Sequence, residues 1–219
     1  MNIRQYLISE KHYCVFMTGR AGSGKSTLAD KIAQEIPSLT IYSLDDYFIG
    51  DSDYRKRRTC EVLSGVNSFW SHCTMTDWWD WQRLISDIQS AKYNCQNRLM
   101  VEGAILPSPT YMINFDAIFF IYHDNHLRER DLYSRDRYKR SRKDHEHRLT
   151  ITNYAETLSY YDFFTAELLR SKNRFVALCD RQGNRITDPV IISSFLSFDL
   201  SQKSKQLLKT FFPAHGINN

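Results

Sequence analysis

Tyr13-Cys14-Val15-Phe16-Met17-Thr18-Gly19-Arg20-Ala21-Gly22-Ser23-Gly24-Lys25-Ser26-Thr27 decides the fold. Five apolar residues, Tyr13 to Met17, read as a buried strand ended by Gly19. Gly19 to Ser26 fits G-x-x-x-x-G-K-[ST] without a mismatch, and Ser26 to Ile36 reads as a helix stopped by Pro37. Strand, glycine-rich turn and helix start form a loop that curls backbone N–H groups around phosphate oxygens. The helix N-terminus adds partial positive charge. Gly19, Arg20, Ala21, Gly22, Ser23, Gly24, Lys25, Ser26 and Thr27 are therefore expected to bind ATP. Lys25 is expected to reach the β- and γ-phosphates, and the Ser26 hydroxyl to ligate Mg²⁺.

Outward from this loop, apolar runs and amphipathic stretches alternate. Leu39–Ser43, Leu99–Val101, Asp116–Tyr122 and Arg174–Cys179 read as strands. Trp79–Ala91 reads as a helix with Leu84, Ile85 and Ile88 on one face. Charged helical sequence follows the fourth strand to about Lys143. Further helices are expected over Ile151–Arg170, Pro189–Phe198 and Gln202–Phe212, and a turn over Asp180–Asn184. Such alternation predicts an α/β fold, a three-layer α/β/α P-loop NTPase with a mostly parallel five-stranded sheet and a helical lid. The whole chain, 1–219, reads as one domain, with the lid at about 128–148. Ligands of such sheets sit beyond the C-terminal strand ends. Three chemically suggestive segments fall there: the loop itself, Asp45-Asp46 after the second strand, and Glu102-Gly103 after the third.

The 219 residues carry a net charge of +4, too weak to imply nucleic acid by itself. The five cysteines, Cys14, Cys60, Cys73, Cys95 and Cys179, are scattered and contain no C-x-x-C pair. That argues against a zinc site or disulfide framework and is consistent with the cytosol. No apolar run approaches the roughly 20 residues of a membrane span, and the polar Met1–Gln5 does not resemble a signal peptide. A cytoplasmic protein without a membrane partner is expected. Arg128–Arg148 concentrates nine Lys/Arg among five Asp/Glu, which is either a solvated helix face or a phosphate-facing Arg cluster. His145 and His147 flank Glu146 without an evident third metal ligand.

Four further segments carry a family resemblance. Ser43-Leu44-Asp45-Asp46-Tyr47-Phe48, Asp77-Trp78-Trp79-Asp80-Trp81, Val101-Glu102-Gly103-Ala104-Ile105-Leu106 and Arg135-Asp136 occur in order. Together with the loop they resemble the uridine kinase and nicotinamide riboside kinase group of P-loop kinases, from Gly19 to about Arg142. The chain departs from that group at Thr74-Met75-Thr76, where relatives often carry His-Pro. The resemblance implies an ATP- and Mg²⁺-dependent kinase acting on a hydroxyl of a nucleoside-like small molecule. It implies Asp45, Lys25 and Arg135 as catalytic residues, with Asp45 the base. It implies Ser26, Glu102 and Asp46 as metal partners, and Asp45, Tyr47, Asp80, Trp79, Arg130 and Arg137 around the acceptor.

The residues also admit plainer readings. Asp45 fits an Asx-turn or cap. Glu102 fits a buried salt bridge. The tryptophans fit the core. Two other functions stay open: a kinase acting on a hydroxymethylated base or an end in DNA or RNA, with the Arg/Lys segment as a strand-binding groove, and an ATP-binding regulator without turnover. Oligomeric state is not read from the sequence.

Overall fold

The computed structural model describes residues 2–49, 79–94, 98–104, 111, 114–137 and 174–191. The elements are α1 (Ile3–Ser9), β1 (Tyr13–Thr18), α2 (Lys25–Glu35), β2 (Thr40–Ser43), a 3₁₀ turn (Leu44–Tyr47), α3 (Trp81–Tyr93), β3 (Arg98–Gly103), β4 (Ala117–Ile121), α4 (Asn125–Asp136) and β5 (Phe175–Cys179). The strands form one sheet in the order β2-β3-β1-β4-β5. All four pairings are parallel. This is the expected α/β P-loop architecture.

Every residue of β1 and β4 is buried, as befits strands covered on both faces. Alternation then sorts them. Tyr13, Val15, Met17, Ala117, Phe119 and Ile121 pack in one cluster with Leu28, Ala29 and Ile32 of α2 and Ile3 and Leu7 of α1. Cys14, Phe16, Ile118 and Phe120 are buried at the alternate positions. There Phe16 meets Phe115 edge-on at 5.1 Å.

Register is what builds the site. Met17 pairs with Glu102, and Glu102 pairs with Ser43. The C-terminal ends of β1, β3 and β2 thus lie side by side, and the segments that follow them open onto one edge. The order reverses around β1, because β2 and β3 lie on one side of it and β4 and β5 on the other. That places the loop after β1 at the switch point of an open α/β sheet.

Several boundaries differ from expectation. β3 extends through Glu102 and Gly103, so Glu102 lies in the ladder rather than beyond it. α3 begins at Trp81, because Asp80 caps it: the Asp80 carboxylate accepts from Arg83 N at 2.9 Å. The N-terminal stretch, expected only to be polar, is a helix closed by a capping box between Asn2 and Gln5. Burying Ile3 and Leu7 stabilises it by about 1.5–3 kcal/mol each.

The Asp180–Asn184 turn is present. The Asp180 carboxylate accepts from the backbone N–H of Gln182 and Asn184. It is held from behind by α1, where Ile3 N donates to Gly183 O at 3.0 Å and Arg4 donates to Gln182 O and Glu35. The expected helices over 151–170 and 202–212, most of that over 189–198, the lid beyond 137, Asp77, Trp78, His145, His147, Cys60, Cys73 and Cys95 lie outside the described residues. Among the described residues, no helix is long and apolar enough to cross a membrane.

Candidate active site

The glycine-rich loop joins β1 to α2, with Gly24 as the helix N-cap at φ 90°. Only glycine adopts this left-handed geometry at no steric cost. The site also lacks room, since a Cβ at Gly24 would stand 3.1 Å from Arg181 Nε. Lys25 opens α2 and is half-buried, and Ser26 and Thr27 follow on its first turn. Thr18 and Ser23 are buried, and among the described residues neither hydroxyl oxygen has a hydrogen-bond partner. Burying such a group without a partner costs about 1–3 kcal/mol. Oxygen-rich ligands or waters in the loop are what these hydroxyls suit.

Glu102 is the centre of the arrangement. It is buried at the end of β3. Ser26 Oγ donates to Glu102 Oε2 at 3.1 Å, and Ser43 Oγ donates to Oε1 at 3.0 Å. One carboxylate therefore ties the P-loop helix to the end of β2. The salt-bridge reading of Glu102 does not describe these contacts, which are to two hydroxyls. Hydroxyl and carboxylate oxygens are the hard donors that Mg²⁺ takes, usually with waters and substrate phosphates completing the shell. Among the described residues no cluster of three His, Cys, Asp or Glu side chains could cage an ion alone. Such an ion would depend on phosphate oxygens, as the P-loop arrangement requires.

Asp45 and Asp46 stand on the exposed 3₁₀ turn directly after Ser43. The turn is seated by Leu44, whose side chain lies where a Cβ on Gly103 would be, 2.6 Å away. Gly103 thus makes room for the turn that carries Asp45.

Tyr47, expected at the acceptor, is buried and committed within the protein. Its hydroxyl donates to Asp87 Oδ2 at 2.8 Å, and Arg83 lies over its ring at 4.5 Å. Burial, then the bond to Asp87, holds its hydroxyl pKa well above the ordinary phenol range. Asp80, expected around the acceptor, caps α3 through one carboxylate oxygen. Trp79 is half-buried and meets Phe48 edge-on at 5.5 Å. Trp81 is buried and stacks on Tyr111 at 6.2 Å. The core reading therefore describes Trp81, while Trp79 and Asp80 stand at the start of α3 beside the Asp45 turn.

The basic segment divides. Arg128, weighed as a phosphate contact, is almost wholly buried, and its guanidinium donates to Ala21 O at 3.0 Å. It braces the P-loop from behind. Arg130, Arg135 and Arg137 are exposed on α4 or its cap. Arg130 lies 3.6 Å from Asp131.

Sequence reasoning passed over Arg181. Its guanidinium lies against Gly24, donates to Asp131 Oδ2 at 3.0 Å and lies 3.4 Å from His123 Nε2. The turn after β5, α4 and the P-loop meet there. Arg181 carries no local signal beyond its place after a strand end. Burial alone would raise the Asp131 carboxyl. The hydrogen bonds from His123 and Arg181 and the charges of Arg181 and Arg130 outweigh it and hold the group below the ordinary range.

Fold and loop together define an α/β protein with the P-loop arrangement. Comparison narrows the resemblance. The chain is similar to a uridine kinase from Ureaplasma urealyticum serovar 10 (strain ATCC 33699 / Western), with 28% identity over 119 residues, 50% of this chain and 55% of the relative. The match thus spans about half the length of that relative. A candidate fructose transport system kinase from Silicibacter sp. TM1040 superposes with a TM-score of 0.51 at 12% identity, covering 73% of this chain and 95% of the other. That likeness shows the fold. A candidate uridine kinase from Bacillus stearothermophilus aligns more loosely, with a TM-score of 0.41 at 14% identity over 79% of this chain and 95% of the other. No protein-family model matches the chain.

Proposed function

We propose that the chain is an ATP- and Mg²⁺-dependent kinase that transfers the γ-phosphoryl group to a hydroxyl of a nucleoside-like small molecule. The observation that carries this reading is the convergence of Ser26 and Ser43 on Glu102. It puts a P-loop hydroxyl, a buried acid and the Asp45 turn at adjoining strand ends. A binding-only regulator has no need of an acidic turn there. The similarity to a uridine kinase over half the chain supports a nucleoside-like acceptor.

The loop N–H groups and Lys25 would hold the β- and γ-phosphates and spread their charge. Ser26 and Glu102 would hold Mg²⁺, with Asp46 reaching its waters; the ion, when bound, neutralises charge on the phosphate oxygens. Asp45 would accept the proton of the attacking hydroxyl as the new O–P bond forms and the bond to ADP breaks. Arg135, with Arg130 and Arg137 nearby on the same helix, would approach the transferring group from the lid side. Asp80 and Trp79 would border the acceptor.

The test is a γ-labelled ATP transfer screen over uridine, other nucleosides, sugars, vitamins and oligonucleotides, run with the wild type and Asp45→Asn. Label on a nucleoside, lost by about 100-fold or more in the variant, is the expected result. Undiminished transfer by Asp45→Asn removes the base. Label on oligonucleotides alone, falling steeply with salt, replaces the acceptor class.

A further inference from the structure

The proposed base stands on a four-residue turn, Leu44–Tyr47. α3 meets that turn at several points, and one side chain is gripped at both ends. Tyr47 closes the turn. Its hydroxyl donates to Asp87, and its ring lies beneath the guanidinium of Arg83, one helical turn earlier. The same guanidinium donates to the backbone oxygen of Asp46, the residue after Asp45. The turn and the start of α3 are also stitched directly. Asp80 N donates to Tyr47 O at 2.8 Å, and Phe48 pairs with Trp79 in an antiparallel bridge.

These contacts differ in what they do. The Asp80 bond, the bridge and the Asp87 bond hold the turn against the helix. Arg83 touches both the Tyr47 ring and the carbonyl of Asp46, the residue after the proposed base. Its positive charge lies against a carbonyl and a π face, both of which attract it. Arg83 is exposed, so its place here is not a requirement of the core.

We infer that Arg83 is a positioning residue for Asp45: it fixes the Asp46 peptide and the Tyr47 ring so that the Asp45 carboxylate stays aimed at the acceptor hydroxyl. This rests on the kinase reading above and adds to it a residue outside the family-like segments. A misplacement of about 1 Å at such a group can cost about 100-fold in rate.

The experiment measures kcat and KM for ATP and for the best acceptor of the screen, uridine being tried first. The enzymes are wild type, Arg83→Met, Arg83→Lys, Asp45→Asn and the Asp45→Asn/Arg83→Met double variant. Thermal midpoints are recorded beside them. Arg83→Met is expected to lower kcat about 10- to 100-fold with both KM values within about twofold. Arg83→Lys, which keeps a cation over the ring and a donor for Asp46 O, should recover at least part of that loss. In the Asp45→Asn background, adding Arg83→Met should cost less than about twofold more, because the group it positions is already gone.

An acceptor KM that rises while kcat holds makes Arg83 a substrate contact and overturns the inference. So does an unchanged kcat in Arg83→Met, or a full additional loss in the double variant. A kcat loss that merely follows a fall in thermal midpoint, without recovery in Arg83→Lys, overturns it as well. In each of these cases an inactive Asp45→Asn leaves the kinase reading standing. A fully active Asp45→Asn, or no acceptor at all, fails that reading first and this one with it.

Discussion

Ser26 and Glu102 lie far apart in the chain and meet at 3.1 Å, hydroxyl to carboxylate, across the strand ends of β1 and β3. These are the two side chains that would hold Mg²⁺ in the proposed function, and variants of Glu102 test it. Glu102→Gln keeps the volume and an acceptor oxygen, so the fold should hold. Phosphoryl transfer should drop by about 100-fold, and the Mg²⁺ concentration giving half-maximal rate should rise. Glu102→Ala should in addition lower stability by about 1–3 kcal/mol, since both serine hydroxyls lose their acceptor. Metal titrations of the rate and thermal melts separate the two effects.

Gly24 faces two penalties at once, a left-handed φ and the nearby Arg181 guanidinium. Gly24→Ala should destabilise the protein by about 1–2 kcal/mol from φ alone. Arg181→Ala in the same chain should relieve the contact and leave that backbone cost. A thermal melt of the double variant that returns fully to wild type would show the φ cost to be absent.

Arg128 belongs to the architecture of the loop. Arg128→Met should lose about 1.5–3 kcal/mol of stability through the vacated Ala21 carbonyl, and ATP affinity should fall with it. Arg128→Lys should not restore either, because a point charge does not replace the planar fork in a fitted pocket. Denaturant melts with and without ATP read both quantities. Wild-type ATP affinity in Arg128→Met would remove the bracing role.

The Asp131 network predicts an acid limb. Its carboxyl is held below the ordinary value of about 3.9 in the folded protein, so the unfolded chain binds the proton more readily. Stability from this group is therefore fully present above the unfolded value and is lost as pH falls through the folded one. The effect is small, because the carboxylate is solvent-exposed. Asp131→Asn should flatten the change in thermal midpoint below about pH 4 and leave the slope near neutrality unaltered. Identical acid limbs in both proteins would show that the network does not hold the carboxyl down.

Local pattern carried the sheet and the phosphate loop because both depend on runs of neighbours. Apolar runs set β1 and β4, and Gly-Lys-Ser spacing set the loop. Glu102 was legible for the same reason, as a lone acid at a strand end. The acceptor side was not. That Asp80 caps a helix depends on where α3 starts, which its side chain helps to decide. Tyr47 looked available because Arg83 and Asp87, which occupy it, belong to another element. Arg128 looked like its charged neighbours on α4, and only the packing of α4 on the loop separates it from them. α1 was missed because two apolar residues, Ile3 and Leu7, make too short a pattern; its capping box, Asn2 with Gln5, was the signal available.

The row Met17, Glu102, Ser43 makes the phosphate half of the site a matter of counting. Side chains alternate along a strand, so one residue inserted or lost within β1, β2 or β3 would turn that strand's contribution to the opposite face. Variation in length can therefore enter only between these strands. If the proposed function holds, chemical change at the acceptor would enter through α3 and its first turn, with the row untouched. A descendant of such a kinase would acquire a new acceptor by rewriting one helix, and would keep its phosphate donor by default.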